Sequence, residues 1–318
     1  MSLDLFFKKI LKRLVNFLSK EDVFVVDTLI HARLADGVPS YQEHLHFYYW
    51  ENQVDSWGNM PSPIRPSSGD IEIYQRFMPS EIKREHILIL GSTPELRDIV
   101  AQRPDAKVYI ADFSYRMPLE MLKFTKHVDP KKEKWIRDNW FDLPFPEHFF
   151  DIILGDLVLQ QFPPELEPVL LKKVHSLIKK DGLFIGRFHF LDKTSCSGTI
   201  ADIVKEVTNS NLTNRERFIL LKIRIVWLFT DMVRRELNRP VSAKKFDEFV
   251  KDNSISDPLL LEVRDALIAD QNSYRHYSVP EEKELIKILS QHFTIIDRGA
   301  SDDYVKSEIY SVFSLGSK

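Results

Sequence analysis

The sequence predicts an α/β fold, a doubly wound sheet that is mostly parallel and closes on a C-terminal antiparallel hairpin, with an N-terminal cap and a helical insert attached. Three observations carry that prediction. Short apolar runs alternate with helical patterns from about residue 81; the second of those runs ends on an acid, Asp112; and the chain finishes in two apolar runs separated by a polar turn. With 318 residues the chain is long enough to bury a sizeable core and still carry additions to it.

The first strand candidate, 86–91, contains HILIL and stops at Gly91. An apolar run without polar alternation is what a strand covered on both faces requires. Thr93 and Pro94 then supply an N-cap and a first helical residue, and Pro104 closes that helix. The second strand, 107–111, contains VYIA and leads straight to Asp112, 21 positions after Gly91. Strands at 134–138, 151–155 and 182–188 continue the rhythm, and right-handed crossovers follow from it. The last of them is preceded by the amphipathic segment PELEPVLLKKVHSLIKK and a turn at Asp181-Gly182. HFTIID, a turn through RGASDD, and EIYSVFSL then read as the terminal hairpin.

This order divides the chain into a helix and an aromatic, Pro-rich cap over 1–80, an α/β core over 81–190 plus 291–318, and a helical insert over 191–290 that would act as an acceptor lid. Phe6, Phe7, Ile10, Leu11, Leu14, Phe17 and Leu18 recur at helical spacing with lysines largely opposite, which predicts a docking helix. Its scattered charges and the lack of a small-residue cleavage site do not fit a signal peptide. Within the insert, RFILLKIRIVWLFTDMVRREL reads as a buried helix, and Lys222, Arg224 and Asp231 oppose a membrane span.

Composition narrows the class of function. Hydrophobic content of 43%, charged content of 29% and a net charge of -3 are ordinary globular values and give no electrostatic reason to expect nucleic acid. A single cysteine, Cys196, excludes an intramolecular disulfide and a cysteine metal cage, and suits a cytoplasmic location. The histidines are scattered, and His44 with His46 lacks a third ligand, so no metal site is expected.

An acid about 20 residues beyond such a glycine, at the end of the second strand, is placed to accept hydrogen bonds from both hydroxyls of a ribose. A pyrophosphate would need further glycines and a helix N-terminus without negative charge, whereas Thr93, Pro94 and Glu95 stand there. Glu95 would repel a phosphate but tolerates a cation such as S-adenosylmethionine. The prediction therefore shifts from hydride transfer to methyl transfer.

From about 86 to 190, and again from about 290 to 318, the chain resembles the class I S-adenosylmethionine-dependent methyltransferases. ILILGSTPEL stands where that family has its Gly-rich first motif, and VYIADFSYRM where its second strand ends on the ribose-binding acid. RDNWFDLPFPEHFFDIILGDLVLQQFP and LLKKVHSLIKKDGLFIGRF are similar to its third to fifth strands. The first motif keeps only Gly91; Ile89 and Asn139 replace acids usual in the family, and the Gly-x-Thr-Pro-Glu-Leu turn resembles that of a bacterial subgroup.

The resemblance implies S-adenosylmethionine as cofactor, held by Gly91, Ser92, Thr93, Asp112, Phe113, Asn139, Trp140 and Asp156. Asn139 would accept from the adenine amino group and Trp140 would cover the adenine face. Asp156 would face the methionine end or the acceptor, and His189 is the candidate general base. Tyr49, Trp57 and Arg65 from the cap and Arg224 from the insert are the candidate acceptor residues; for Arg224 an ion pair with a neighbouring helix is the alternative. A small-molecule acceptor is expected, with no nucleic acid, no stable membrane insertion, and the N-terminal or insert helices as the surface for a homodimer. The competing expectation is a non-catalytic scaffold of the same fold that binds the cofactor weakly or not at all, motivated by the missing glycines.

Overall fold

The structure is a computed structural model, and it describes residues 25–27, 54–80, 85–114, 116–191, 193–272 and 279–318. The expected N-terminal helix and Tyr49 lie outside the described residues.

In chain order the strands are β1 (Val25–Asp27), β2 (His86–Leu90), β3 (Lys107–Asp112), β4 (Glu133–Arg137), β5 (Phe150–Asp156), β6 (Ile178–Arg187), the short β7 (Thr230–Asp231) and β8 (Glu236–Leu237), β9 (Phe293–Gly299) and β10 (Val312–Ser317). The main sheet runs β1-β4-β3-β2-β5-β6-β10-β9. Its strands are parallel except β10, which is antiparallel to both β6 and β9. The terminal hairpin is therefore present, and the order reverses at β2, with β3 on one side and β5 on the other.

Helices cover the sheet because the strands are apolar throughout. Ile87, Leu88, Ile89, Ile152, Ile153 and Leu154 are fully buried. Helix α1 (Ser68–Phe77) and α2 (Pro94–Ala101) bring Ile73, Tyr74, Phe77, Leu96 and Val100 against Ile87, Ile89, Ile152 and Leu154. Each such side chain contributes roughly 1.5–3 kcal/mol of burial. A short α3 (Arg116–Glu120) follows β3, and α4 (Glu167–Leu177) precedes β6.

Two boundaries differ from expectation. Asp181-Gly182 does not end a helix. Helix α4 stops at Leu177, Ile178 already pairs with Phe150, and the register then jumps to Leu183 opposite Ile152, so Lys179–Gly182 form an irregularity inside β6. A Cβ on Gly182 would sit 2.8 Å from the Asp151 carbonyl oxygen, which is why the close approach needs glycine. The third strand of the pattern, expected at 134–138, runs one residue earlier.

Compactness divides the chain into two units, one of Met1–Gln161, Glu165–Phe188 and Lys287–Lys318, the other of Phe162–Pro164 and His189–Ile286. The second unit has its own core, in which Ile203, Leu221, Ile225, Phe246, Val250 and Val263 are buried. Its helices are α5 (Ile200–Thr208), α6 (Asn214–Leu228), α7 (Arg239–Asp252) and α8 (Pro258–Asp270), with α9 (Glu282–Leu289) at the return to the sheet. The long helix expected through residue 237 ends at Leu228. Asp231 terminates it by accepting hydrogen bonds from the amides of Val233 and Arg234 at 2.9 Å each, and Arg235 takes φ 55°, so the chain turns into the β7–β8 hairpin.

Candidate functional site

Gly91 follows β2 with φ 91°, a conformation that costs a glycine nothing and strains other residues. Its amide donates to the Ala111 carbonyl at 2.8 Å, locking the turn to the end of β3. Ser92 is buried and its hydroxyl donates to Asp112 Oδ2 at 2.5 Å, while the Ser114 amide donates to Oδ1 at 2.9 Å. The half-buried carboxylate is thereby aimed from both sides.

Trp140 lies over the same turn. A Cβ on Gly91 would stand 3.7 Å from Trp140 Cζ2, and the indole Nε1 donates to the Ala111 carbonyl at 2.8 Å. The N–H edge of the indole is thus packed against the turn between Gly91 and the end of β3. Asn139 is buried, and its side-chain oxygen accepts the Phe141 amide at 3.2 Å in a local turn. Thr93 occupies the N-cap position of α2 with Pro94 after it, but its hydroxyl makes no capping hydrogen bond. Phe113 is half-buried directly after β3.

At the neighbouring strand end Asp156 lies in a buried polar cluster. Arg187, the last residue of β6, donates from Nε to Asp156 Oδ1 at 2.7 Å and from Nη2 to Oδ2 at 3.1 Å. Its Nη1 donates to Asp70 Oδ2 at 2.8 Å and to the Tyr304 hydroxyl at 3.3 Å, and Nη2 also donates to the Pro63 carbonyl at 2.9 Å. All five guanidinium protons have acceptors, which is the condition for a fully buried arginine. The Tyr74 hydroxyl donates to the Gly155 carbonyl at 2.7 Å and accepts the Arg187 amide at 2.7 Å. Burial raises the Asp156 carboxyl to about 6, against the pull of Arg187, and Asp70 and Glu95 push it up further. Leu157, next in the chain, sits at φ 51°, a strained conformation for a branched side chain.

Arg65 ion-pairs with Glu95 in the first turn of α2 and donates from Nη1 to the Trp57 carbonyl at 3.3 Å. Trp57 itself is buried in a small cluster with Val54, Met117 and Met121. The two remaining candidates belong to the second unit. There the His189 ring stands 5.3 Å from the Trp227 ring, and Arg224 Nη1 donates to Glu206 Oε1 at 3.0 Å, the ion pair with a neighbouring helix. Among the described residues no group of three or more His, Cys, Asp or Glu could hold a metal ion, and no helix is long and apolar enough to cross a membrane.

The residues gathered at the carboxyl ends of β2, β3 and β5 are thus Gly91, Ser92, Asp112, Trp140 and Asp156. Sequence reasoning missed Arg187 and Asp70. The available signal was an arginine ending an otherwise apolar strand, since a cation in IGRFHF must find buried carboxylates.

No family model matches the chain, and no curated protein matches it. Solved structures do. 1,6-Didemethyltoxoflavin-N1-methyltransferase from Burkholderia thailandensis, with 1,6-didemethyltoxoflavin and S-adenosylhomocysteine bound, is 13% identical, covers 90% of this chain and 92% of its own, and has a TM-score of 0.50. A Rhodobacter sphaeroides protein provisionally described as a Zn-dependent alcohol dehydrogenase is 14% identical, covers 88% of this chain and 99% of its own, and has a TM-score of 0.52. At such identities the likeness shows the fold, which is the class I methyltransferase-like doubly wound sheet, and leaves the chemistry to the site.

Proposed function

We propose that the chain binds S-adenosylmethionine across the carboxyl ends of β2 to β5 and transfers its methyl group to a small-molecule acceptor. The observation that carries this reading is Asp112, held by Ser92 and Ser114 beside the left-handed Gly91 at the point where strand order reverses, the place where open α/β sheets receive ligands. The residues fit the group. Asp112 would accept from the ribose hydroxyls, Gly91 admits the close backbone approach, and Trp140 offers an aromatic wall for the adenine.

The cofactor supplies a methyl carbon already activated by a sulfonium, so the protein's part is alignment and exclusion of water. Asp156 stands toward the methionine end and Phe113 beside the ribose, while Thr93 helps shape the turn. Asn139, whose side-chain oxygen accepts the Phe141 amide, would receive the adenine amino group. His189 is our candidate base for an acceptor proton, with Trp57, Arg65 and Arg224 as shaping residues and the 191–290 insert as the lid.

Calorimetric titration with S-adenosylmethionine and S-adenosylhomocysteine tests the proposal. Micromolar binding that weakens about tenfold or more in Asp112→Ala, as expected for loss of a charge-assisted hydrogen bond, supports it. No binding by the folded wild-type protein sinks it. One observation favours a second reading, a scaffold without cofactor: the Trp140 indole and both Asp112 oxygens are already engaged within the protein.

A further inference from the structure

The buried cluster at the end of β5 and β6 holds two carboxylates, Asp70 and Asp156, on one guanidinium. Arg187 and both acids are almost wholly inaccessible to solvent. Asp70 does not belong to the sheet. It is the third residue of α1, where the Ser67 hydroxyl accepts the Asp70 amide and Asp70 Oδ2 accepts the Ser67 amide at 3.0 Å. Its other oxygen accepts the Ser301 hydroxyl at 2.9 Å. The same guanidinium also takes the Pro63 carbonyl, so one side chain grips the segment leading into α1 at two points and Asp156 at a third.

We propose that Asp70 is a positioning residue for this site: acting through the guanidinium of Arg187, it governs how Asp156 is held at the carboxyl edge and ties the seating of residues 63–77 to cofactor binding. The half of this concerning the cofactor rests on the reading given under Proposed function; the coupling of Asp70 to Asp156 does not. A second negative charge sharing the same cation at close range raises the hold of Asp156 on a proton, and burial removes the water that would screen it. The groups facing Asp156 are Arg187 from β6, Asp70 and Tyr74 from α1, and Glu95 from α2. Arg65 ion-pairs with Glu95, whereas Asp70 and Asp156 share the single guanidinium of Arg187.

Replacing Asp70 by Asn keeps the shape and removes the charge. The carboxyl of Asp156, followed by carbon-13 NMR and assigned through its disappearance in Asp156→Asn, is expected to titrate about one pH unit lower in Asp70→Asn than in the wild type. In parallel, the affinity for S-adenosylmethionine should rise with pH as Asp156 ionises, and the midpoint of that rise should move down by the same amount. Asp70→Glu retains the charge one methylene further out; it should weaken binding several-fold while leaving the midpoint at its wild-type position, and it serves if Asp70→Asn does not fold. An unmoved Asp156 titration in Asp70→Asn overturns the inference, as does a moved titration there with an unmoved binding midpoint. If the wild type binds no S-adenosylmethionine yet the titration moves, the cofactor reading fails and the Asp70–Arg187–Asp156 coupling stands.

Discussion

Arg187 shows how much one side chain can decide at the end of a strand. Removing it as Arg187→Met would leave Asp70 and Asp156 buried with no cation, which costs about 3–5 kcal/mol of stability, measurable by urea unfolding at pH 7.5. The sign of the pH dependence follows from Asp156. Its carboxyl is raised to about 6 in the fold, so the folded state binds a proton more readily than the unfolded chain between about 4 and 6, and the stability associated with that proton is lost as pH rises through the folded value. The Arg187→Met deficit is therefore expected to shrink on acidification toward pH 5. At this scale the sequence was legible only where type and position coincide. Gly91 and Asp112 announce themselves by spacing, whereas Asp156 and its partner Arg187 lie 31 residues apart and no local pattern joins them.

Elements were more legible, because hydrophobic period and punctuation are local. The strands expected at 86–91, 107–111 and 151–155 correspond to His86–Leu90, Lys107–Asp112 and Phe150–Asp156. What failed was termination. Nothing apolar or helix-breaking stops α6 at Leu228; a single aspartate two turns from the expected end folds back on the backbone and starts a hairpin. Helix α1 illustrates the opposite case, in which a local signal, Ser67 three residues before Asp70, specifies a start. Ser67→Ala removes one half of that capping box and is expected to lower stability by about 1 kcal/mol in urea titration. Because the same Asp70 reaches Arg187, the cap both begins the helix and aims a carboxylate.

Across the whole molecule, the arrangement into two units suggests a division of labour that experiment can separate. The second unit packs around Phe246, which is fully buried among Ile203, Leu221 and Val250. Phe246→Ala should lower the stability of that unit by about 3–5 kcal/mol through the cavity it leaves. If the 191–290 insert is the acceptor lid, S-adenosylmethionine affinity should stay within about twofold of wild type, since Asp112 and its partners belong to the other unit, while turnover on an acceptor falls. A parallel loss of cofactor affinity would contradict that assignment.

The alternation of β2 to β6 with helices, the closing hairpin and the place of Gly91 and Asp112 at strand ends were recoverable from the chain in one dimension, because each depends on periodicity or on spacing along it; the order of the strands was not. Nor were contacts between residues far apart in sequence. Trp140 lying over Gly91, the sharing of Arg187 between Asp70 and Asp156, and the pairing of Arg65 with Glu95 join segments 30 to 117 residues apart. No local pattern encodes such meetings; they come into being when the sheet closes and buried charge, denied water, must settle on whatever opposite charge the fold has brought within reach.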